Sequence, residues 1–258
     1  SLIWSLMIMR LVVKMIADTQ IYLPVNQNYF LASTIYNTIS CRPEYSKFLH
    51  DHGYRHESGK IFKMFVFGPL QAQNRKVQGE KLILGPGEVT WLISSPMQDF
   101  LLALAEGLLT IGKISIRGTE LPITKVETEP EPVFKSCMKM KCLSPIVATS
   151  VVDGNQYAKY LTNEDQPEFS EKIRRNAIKK YEILHNSSPV DNSLILTFDQ
   201  DYINRKSRVT KLVRVCDTDI KGVLCPFTVE GSTELIETIY NEGAGEKGSM
   251  GFGMISTI

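Results

Sequence analysis

Two histidines near the middle of the first half carry the first candidate chemistry. His50 and His52 fall in the last turn of a helix that Pro43 is expected to begin and Gly53 to end. The C-terminus of a helix carries partial negative charge, which favours an imidazolium, and histidine is the side chain best suited to proton transfer near neutral pH. The pair is therefore a candidate for acid–base catalysis, and a solvent-facing or structural role is the plainer interpretation.

The same region also allows a metal site. His50, His52 and His56, together with Cys41, could bind zinc through mixed nitrogen and sulfur ligands. Their spacing matches no standard zinc finger, so we expect no metal and no cofactor. The five cysteines contain no CxxC pair, and an odd, scattered set is typical of reduced thiols in an intracellular protein.

A glycine-rich loop near the C-terminus, residues 241–255, is the second candidate. Its sequence is NEGAGEKGSMGFGMI, and its glycines are Gly243, Gly245, Gly248, Gly251 and Gly253. Such a loop can turn backbone amides toward a phosphate. Lys247 adds a charge, Ser249 a hydroxyl and Phe252 a flat face on which a base could stack. The pattern fits neither a P-loop nor a dinucleotide fingerprint, and a tight loop without a ligand is the alternative.

Basic residues gather in two further places, although the net charge of +1 gives no global argument for a nucleic-acid partner. Lys172, Arg175 and Lys179 recur at helical spacing on one face of a predicted helix. Lys206 and Arg208 open a second cluster in a predicted strand. Together they suggest an electrostatic track for a phosphate backbone, while a solvated helix face and a charged edge strand are the alternatives.

The elements that must position these residues suggest two domains. With 258 residues, the chain suits domains of ordinary size, and EPEP at 129–132 marks their connection, giving 9–130 and 131–258. The first half predicts strands at 9–16, 60–67, 88–94, 113–116 and 124–127, helices at about 28–39, 43–53 and 96–112, and a polar hairpin tip at 71–81. The second half predicts strands at 143–149, 194–198, 206–215, 222–229 and the C-terminus, and helices at 168–184 and about 233–242.

Both halves therefore follow an approximate βαββαβ order, which predicts an α+β fold of two tandem ferredoxin-like domains closed by the glycine-rich loop. The apolar residues 1–8 are too few to span a membrane, and we expect them to be a cloning remnant or an upstream extension. No membrane association is predicted.

Five segments then occur in an order that resembles a known family. They are NYFLASTIYNTI (28–39), SKFLHD (46–51), GKIFKMFVF (59–67), LSPIVAT (143–149) and GAGEKGSMGFGMI (243–255). The chain resembles the CRISPR-associated repeat-processing endoribonucleases of the sixth Cas family, within the repeat-associated mysterious protein superfamily. The glycine-rich segment is the most specific match, and LSPIVAT resembles the first strand of the second domain.

The resemblance implies metal-independent cleavage of CRISPR repeat RNA by attack of a ribose 2′-hydroxyl. Carried over by position, Tyr36, His50 and Lys60 form the catalytic site, and His52 could share or replace the role of His50. Which residue is base and which is acid stays open. The glycine-rich loop and the basic residues are implied to bind precursor and mature CRISPR RNA.

The resemblance also implies a prokaryotic cytoplasmic protein, a monomer or homodimer, with other Cas proteins of an effector complex as candidate partners. A non-catalytic RNA-binding subunit of such a complex is the main alternative function. An unrelated ferredoxin-like binding or structural protein is a weaker one.

Overall fold

The computed structural model describes residues 10–151 and 158–258. The predicted N-terminal extension, residues 1–8, and Met9, where the first strand was expected to begin, lie outside these ranges. Within them, no helix is long and apolar enough to cross a membrane.

Within the described residues, the first half builds one large sheet, a three-stranded sheet, a two-stranded hairpin and three α-helices. Its strands are β1 (Arg10–Ala17), β2 (Ile21–Pro24), β3 (Tyr54–Arg55), β4 (Ile61–Phe62), β5 (Val66–Phe67), β6 (Gln71–Ala72), β7 (Arg75–Gln78), β8 (Lys81–Leu84), β9 (Gly87–Ser94), β10 (Lys113–Ile116) and β11 (Thr119–Thr128). Its α-helices are α1 (Asn28–Thr38), α2 (Pro43–Lys47) and α3 (Gln98–Ile111).

The large sheet of the first half has the strand order β10-β11-β1-β9-β5, and β6 also pairs with β9. A ferredoxin-like unit has four strands, which here are β1, then β5 together with β6, then β9, then β11 in chain order. Across the sheet, the fourth strand lies beside the first, the first beside the third, and the third beside the second. Helix α1 follows the first strand and α3 follows the third, as in a ferredoxin-like unit. Both helices share one hydrophobic cluster with the inner face of the sheet.

The second half repeats this plan. Its strands are β12 (Cys137–Cys142), β13 (Thr149–Val151), β14 (Ala158–Tyr160), β15 (Leu194–Phe198), β16 (Thr210–Val215), β17 (Thr218–Val223), β18 (Phe227–Gly231) and β19 (Ile255–Thr257). Its α-helices are α4 (Gln166–His185), α5 (Gln200–Lys206) and α6 (Thr233–Glu242). In its sheet the strand order is β15-β18-β12-β19. The prediction of two tandem ferredoxin-like domains is confirmed, while the boundary between residues 130 and 131 stays a prediction.

Helix ends follow the local sequence. Helix α3 ends at Gly112, whose φ of 71° is left-handed. Helix α6 begins after Ser232, whose hydroxyl accepts a hydrogen bond from the amide of Leu235. Leu235, Ile236 and Ile239 of that helix are fully buried in the core of the second half. The spacing of these apolar side chains explains why one face of α6 packs on the sheet.

Two predictions for the first half were wrong in detail. The segment 60–67 is not one strand, because Met64 adopts a left-handed φ of 58° and separates β4 from β5. Strand β4 pairs with β3, whereas β5 joins the large sheet beside β9. The polar segment 71–81 is more than a hairpin tip: it holds β6 and β7, and β7 forms a small sheet with β8 and β2.

Three predictions for the second half also need correction. The LSPIVAT segment is not the first strand of its sheet, because that strand is β12. Pro145 lacks the N–H that a strand ladder needs, and the segment forms only isolated bridges at Ile146 and Val147 before β13 begins at Thr149. Residues 200–206 form α5 because Asp199 caps the amide of Tyr202 at 2.8 Å, so only 210–215 of the predicted strand is extended. The predicted strand 222–229 is divided between β17 and β18.

The two halves are joined by polar contacts. The buried guanidinium of Arg10 donates to the Tyr240 carbonyl at 2.9 Å and lies 3.9 Å from the centroid of the Tyr240 ring. The amide of Asn28 donates to the carbonyl of Met250 at 2.7 Å. These bonds tie the start of α1 and β1 to the end of α6 and to the glycine-rich loop.

The glycine-rich loop packs too tightly for side chains at several positions. A Cβ at Gly245 would overlap the carbonyl oxygen of Val147, and one at Gly253 would overlap that of Ala244. Both glycines also have positive φ, of 78° and 80°. The loop therefore needs glycine for close backbone approach as well as for its conformation.

We expect Gly253→Ala to lower the free energy of unfolding by roughly 3 kcal/mol, because it combines a left-handed backbone with steric overlap. Gly118→Ala is the matched control, since Gly118 has a φ of 84° but no atom within 4 Å of the position that the new methyl group would take. This control should lose only about 1 kcal/mol. Urea unfolding of both variants measures the difference, and equal losses would contradict the packing argument.

Candidate active site and RNA interface

His50 lies in a short π-helical turn, Phe48–His52, that continues α2. Its Nδ1 is 2.8 Å from Oδ1 of Asp51, and its side chain is 71% exposed. The hydrogen bond from His50 is the largest cause that holds the pKa of Asp51 below its usual value. An ionised Asp51 accepts a hydrogen bond from Nδ1–H, which leaves the Nε2 lone pair of a neutral imidazole open to solvent.

Tyr36 projects from α1 toward the histidine. Its ring meets the His50 ring edge-on, with centroids 5.7 Å apart, and the Phe65 ring at 6.1 Å. Leu31 and Ile35 of the same helix are buried and anchor it on the core. Burial raises the pKa of Tyr36 to about 12, so the phenol keeps its proton at neutral pH.

Two lysines follow on the neighbouring segment. The ammonium of Lys63 donates to the carbonyls of Leu49 and His50, the latter at 2.9 Å, and so holds the π-helical turn against the segment between β4 and β5. The Nζ of Lys60 is 3.3 Å from Oε1 of Glu246 in the glycine-rich loop. Lys60 therefore faces the second half of the chain.

The other two histidines of the first half differ in position. His52 is exposed on the same turn, close enough for its charge to contribute to the lowered pKa of Asp51, but the ring contact with Tyr36 is made by His50. His56 is buried, with Nε2 2.6 Å from Oε2 of Glu182, and its Nδ1 accepts from the amide of Ser58. Both nitrogens of His56 are thus engaged.

These bonds occupy both ring nitrogens of His56, so this histidine is not available as the third histidine ligand of a zinc site. Across residues 10–151 and 158–258, no group of three or more His, Cys, Asp or Glu side chains could hold a metal ion. His56 instead links the β3–β4 hairpin of the first half to α4 of the second half through Glu182.

The base of the glycine-rich loop is held by Lys180 of α4. Its buried ammonium donates to the carbonyls of Glu242, Gly243 and Gly245, at 3.3, 2.7 and 3.0 Å. Three acceptors match the three N–H groups of a protonated lysine. Burial lowers the pKa of Lys180 and raises that of the neighbouring Glu242 carboxyl, since both lose hydration.

Only the apex of the loop is open. Lys247, Gly248 and Ser249 are partly exposed and line a cavity of about 420 Å³ together with Lys60 and Lys63. The remaining predicted glycines of the loop are buried: Gly243, Gly245, Gly251 and Gly253. These four shape the loop, and the apex is the part that a ligand can touch.

The prediction that Phe252 offers a face to a base is wrong for this structure. Its ring is fully buried and packs with Val147, Val215 and Ile220. The alternation of glycine and larger residues places Phe252 under the loop, as an anchor between the loop and the β16–β17 hairpin. A base cannot stack on it without disrupting that cluster.

The basic residues occupy two separate surfaces. Lys172, Arg175 and Lys179 lie on α4, whose Asn176 and Lys180 line the loop cavity. Arg175 is exposed but forms an ion pair with Glu171 at 2.6 Å, which reduces its free charge. The second cluster, Lys206 and Arg208, is exposed at the end of α5 and in the turn that follows.

Sequence reasoning missed Asp51, Lys63 and Glu246 as residues that shape this site, and it placed Lys180 beside the basic face of its helix, whereas the structure buries it. A signal existed for this burial, because Lys180 follows Ile173 and Ala177 at helical spacing and so falls on the apolar face of α4. Glu246 meets Lys60 only through tertiary folding, 186 residues apart in the sequence. No local pattern could have indicated that contact.

The chain is similar to known proteins over nearly all of its length. A family model described as "CRISPR associated protein Cas6, C-terminal" matches residues 128–257, and one described as "CRISPR-associated protein Cas6, N-terminal" matches residues 22–127. A relative from Methanocaldococcus jannaschii, "CRISPR-associated endoribonuclease Cas6 1", is 30% identical over 97% of this chain and 93% of its own length.

Solved structures agree with this similarity. One titled "CRISPR associated protein Cas6" has a TM-score of 0.77 and 30% identity, and covers 97% of this chain and 99% of the other. Another, titled "An RAMP protein binding different RNA substrates", has a TM-score of 0.80 and 25% identity over the same shares.

We expect Lys180→Met to lower the free energy of unfolding by about 2 kcal/mol or more, because buried carbonyls lose their donors. Lys172→Met on the same helix is the control and should stay within about 0.5 kcal/mol of wild type, since Lys172 is only partly buried. Thermal and urea unfolding provide the measurement. Equal stability of the two variants would show that Lys180 does not hold the loop.

Proposed function

The chain belongs to the Cas6 family of CRISPR-associated endoribonucleases, and we propose that it cleaves precursor CRISPR RNA within the repeat without a metal ion. The ribose 2′-hydroxyl beside the scissile phosphate attacks phosphorus, and the bond to the 5′-oxygen breaks. The products are a 2′,3′-cyclic phosphate and a 5′-hydroxyl. The observation that carries this proposal is the pairing of an exposed His50, oriented by Asp51, with a protonated Tyr36.

His50 is the general base in this proposal. Because Asp51 accepts from Nδ1, the free Nε2 can take the proton from the 2′-hydroxyl. The carboxylate then stabilises the imidazolium that forms, as the third member of a hydrolase triad does. Exposure of the ring is required, since the RNA must approach from solvent. His52, on the same turn, is the alternative base.

Tyr36 supplies the second proton transfer. A phenol with a pKa of about 12 is not a base at neutral pH, but it remains a stronger acid than the 5′-hydroxyl whose alkoxide departs. Transfer of its proton to the leaving oxygen is therefore downhill. The edge-on contact with His50 keeps the acid and the base within reach of one phosphate.

Lys60 stabilises the charge that develops on the phosphoryl oxygens. It lines the same cavity as Lys247, Gly248 and Ser249 of the loop apex, and a fixed cation near the phosphate favours the transition state. The apex contributes backbone and hydroxyl donors to the RNA backbone. Gly243, Gly245, Gly251 and Gly253 would then act indirectly, by shaping the loop.

The RNA path extends over the basic surface of α4 at Lys172 and Lys179 and over Lys206 and Arg208. Arg175 contributes less, because it forms an ion pair with Glu171, a carboxylate that it shares with Arg174. Contacts of this kind set affinity and register rather than sequence preference, and their binding should weaken steeply with salt. Other Cas proteins as partners, a monomeric or homodimeric state and a cytoplasmic location stay predictions.

The direct test is cleavage of CRISPR repeat RNA from the source organism, with EDTA present. Wild type should cut at one position, and His50→Ala should lower the single-turnover rate by about 100-fold or more, because the base is gone. His52→Ala is the matched control from the same turn and should retain nearly full rate. A 2′-deoxy nucleotide at the scissile position should abolish cleavage and leave binding intact.

Other outcomes reassign the residues. Loss of activity in His52→Ala but not in His50→Ala would make His52 the base. Cleavage of the deoxy substrate at full rate would rule out the 2′-hydroxyl mechanism. Binding without cleavage by wild type would favour a non-catalytic RNA-binding subunit.

Tyr36→Phe tests the acid. The ring packing is kept and the hydroxyl is lost, so we expect the rate to fall about 100-fold while RNA affinity is unchanged. The pH–rate profile between about pH 6 and about pH 10 should keep the shape of wild type, because a phenol with a pKa of about 12 does not titrate there. A wild-type rate that rises through this range only when Tyr36 is present would instead make the phenolate the base.

A further inference from the structure

Glu246 is the acidic residue in the partly exposed part of the glycine-rich loop, and it contacts the proposed catalytic lysine. Its Oε1 is 3.3 Å from the ammonium of Lys60, and its Oε2 accepts from the hydroxyl of Thr149 at 2.9 Å. Both carboxylate oxygens therefore have defined partners, one from each half of the chain. An acidic side chain in a loop that binds a polyanion needs a reason, because it repels the phosphate.

The Glu246 carboxylate extends from a backbone that is firmly held. The amide of Glu246 donates to the carbonyl of Val147 at 2.9 Å, and the preceding carbonyl, that of Gly245, accepts from the buried Lys180 at 3.0 Å. A Cβ at Gly245 would overlap the Val147 oxygen, so the two backbones are in close contact. The carboxylate is thus held by backbone, hydroxyl and packing at once.

The carbonyl of Lys60 accepts a hydrogen bond from the amide of His56 at 2.9 Å, which holds its backbone in the β3–β4 hairpin, but its side chain is held less firmly than that of Glu246. Lys60 precedes the two-residue strand β4, follows the turn at 57–59, and its side chain is 41% exposed. Its ammonium also lies 5.4 Å from the Phe62 ring, a weak contact. A lysine stem has four rotatable carbons, so an unheld ammonium would sample many positions.

We propose that Glu246 is a positioning residue that holds the Lys60 ammonium at the loop cavity in the geometry needed for phosphoryl charge stabilisation. This inference rests on the proposed catalytic role of Lys60. The ammonium has three N–H groups, and the bond to Glu246 uses one, which leaves two for phosphoryl oxygens. Thr149 keeps the carboxylate turned toward Lys60, and the catalytic group of one half is thereby aligned by the loop of the other.

Glu246→Gln is the primary variant, because it removes the charge with little change in shape and keeps an oxygen that can accept from Thr149. The single-turnover cleavage rate should fall roughly 10-fold, since the positioned cation becomes mobile. The Kd for repeat RNA with a 2′-deoxy scissile nucleotide should not rise, because removal of a loop carboxylate does not weaken phosphate binding. Glu246→Asp, which keeps the charge one methylene shorter, should recover part of the rate.

The decisive comparison uses Lys60→Ala alone and together with Glu246→Gln. If Glu246 acts through Lys60, the double variant should cleave at the rate of Lys60→Ala, so the two effects are not additive. Glu120→Gln is the matched control, because it breaks an exposed ion pair with Lys113, 2.6 Å long, outside the site. Its rate should equal that of wild type. Thermal unfolding of Glu246→Gln should be within a few degrees of wild type.

Three outcomes would overturn the inference, and they are distinguishable from one another. A wild-type rate in Glu246→Gln with a slow Lys60→Ala variant removes the role of Glu246 and leaves the proposed function intact. Additive losses in the double variant show that Glu246 acts by another route. A wild-type rate in Lys60→Ala removes the catalytic role of Lys60 itself, and the positioning role of Glu246 fails with it.

Discussion

The glycine-rich loop depends on one buried cation. The carbonyls at the end of a helix have no N–H partner within the helix. The protonated amine of Lys180 donates to three carbonyls at the end of α6 and the start of the loop. Burial of an ammonium is costly unless its hydrogens are satisfied, and here all three are. The loop conformation and the charge state of Lys180 therefore support each other.

The same constraint explains the chemistry of the cavity beside the loop. Lys60 and Lys180 lie close enough for their charges to interact, and Glu242 and Glu246 lie among them. Burial raises the pKa of Glu242 and favours its neutral form, and Glu246, which is bonded to Thr149 and Lys60, is more exposed. The cavity thus combines cations with a small number of positioned acceptors, an arrangement that suits the phosphate binding we propose.

The sequence was sufficient for the order of the main elements and for the segments that carry Tyr36 and His50, because both are local patterns. Helical spacing located α1, α4 and α6, and the strand preferences located β1, β9 and β15. It failed where tertiary contacts decide: the left-handed Met64 divides one predicted strand, and Asp199 caps an unpredicted helix. The sequence also predicted that Phe252 lies at a ligand-binding surface. Alternation with glycine does not show whether an aromatic ring is exposed or is buried beneath the loop, as Phe252 is.

The proposed catalytic site is divided between the two halves of the chain. Tyr36, His50 and Asp51 all belong to elements of the first half, where His50 contacts both of the other two side chains. Lys60 is different, because its partner Glu246 lies on a loop whose shape depends on Lys180 and on glycine contacts of the second half. A perturbation of the interface between the halves should therefore impair charge stabilisation before it impairs proton transfer. In the proposed mechanism, two similar folds placed side by side form a site that neither contains alone, since each supplies a different part of the reaction.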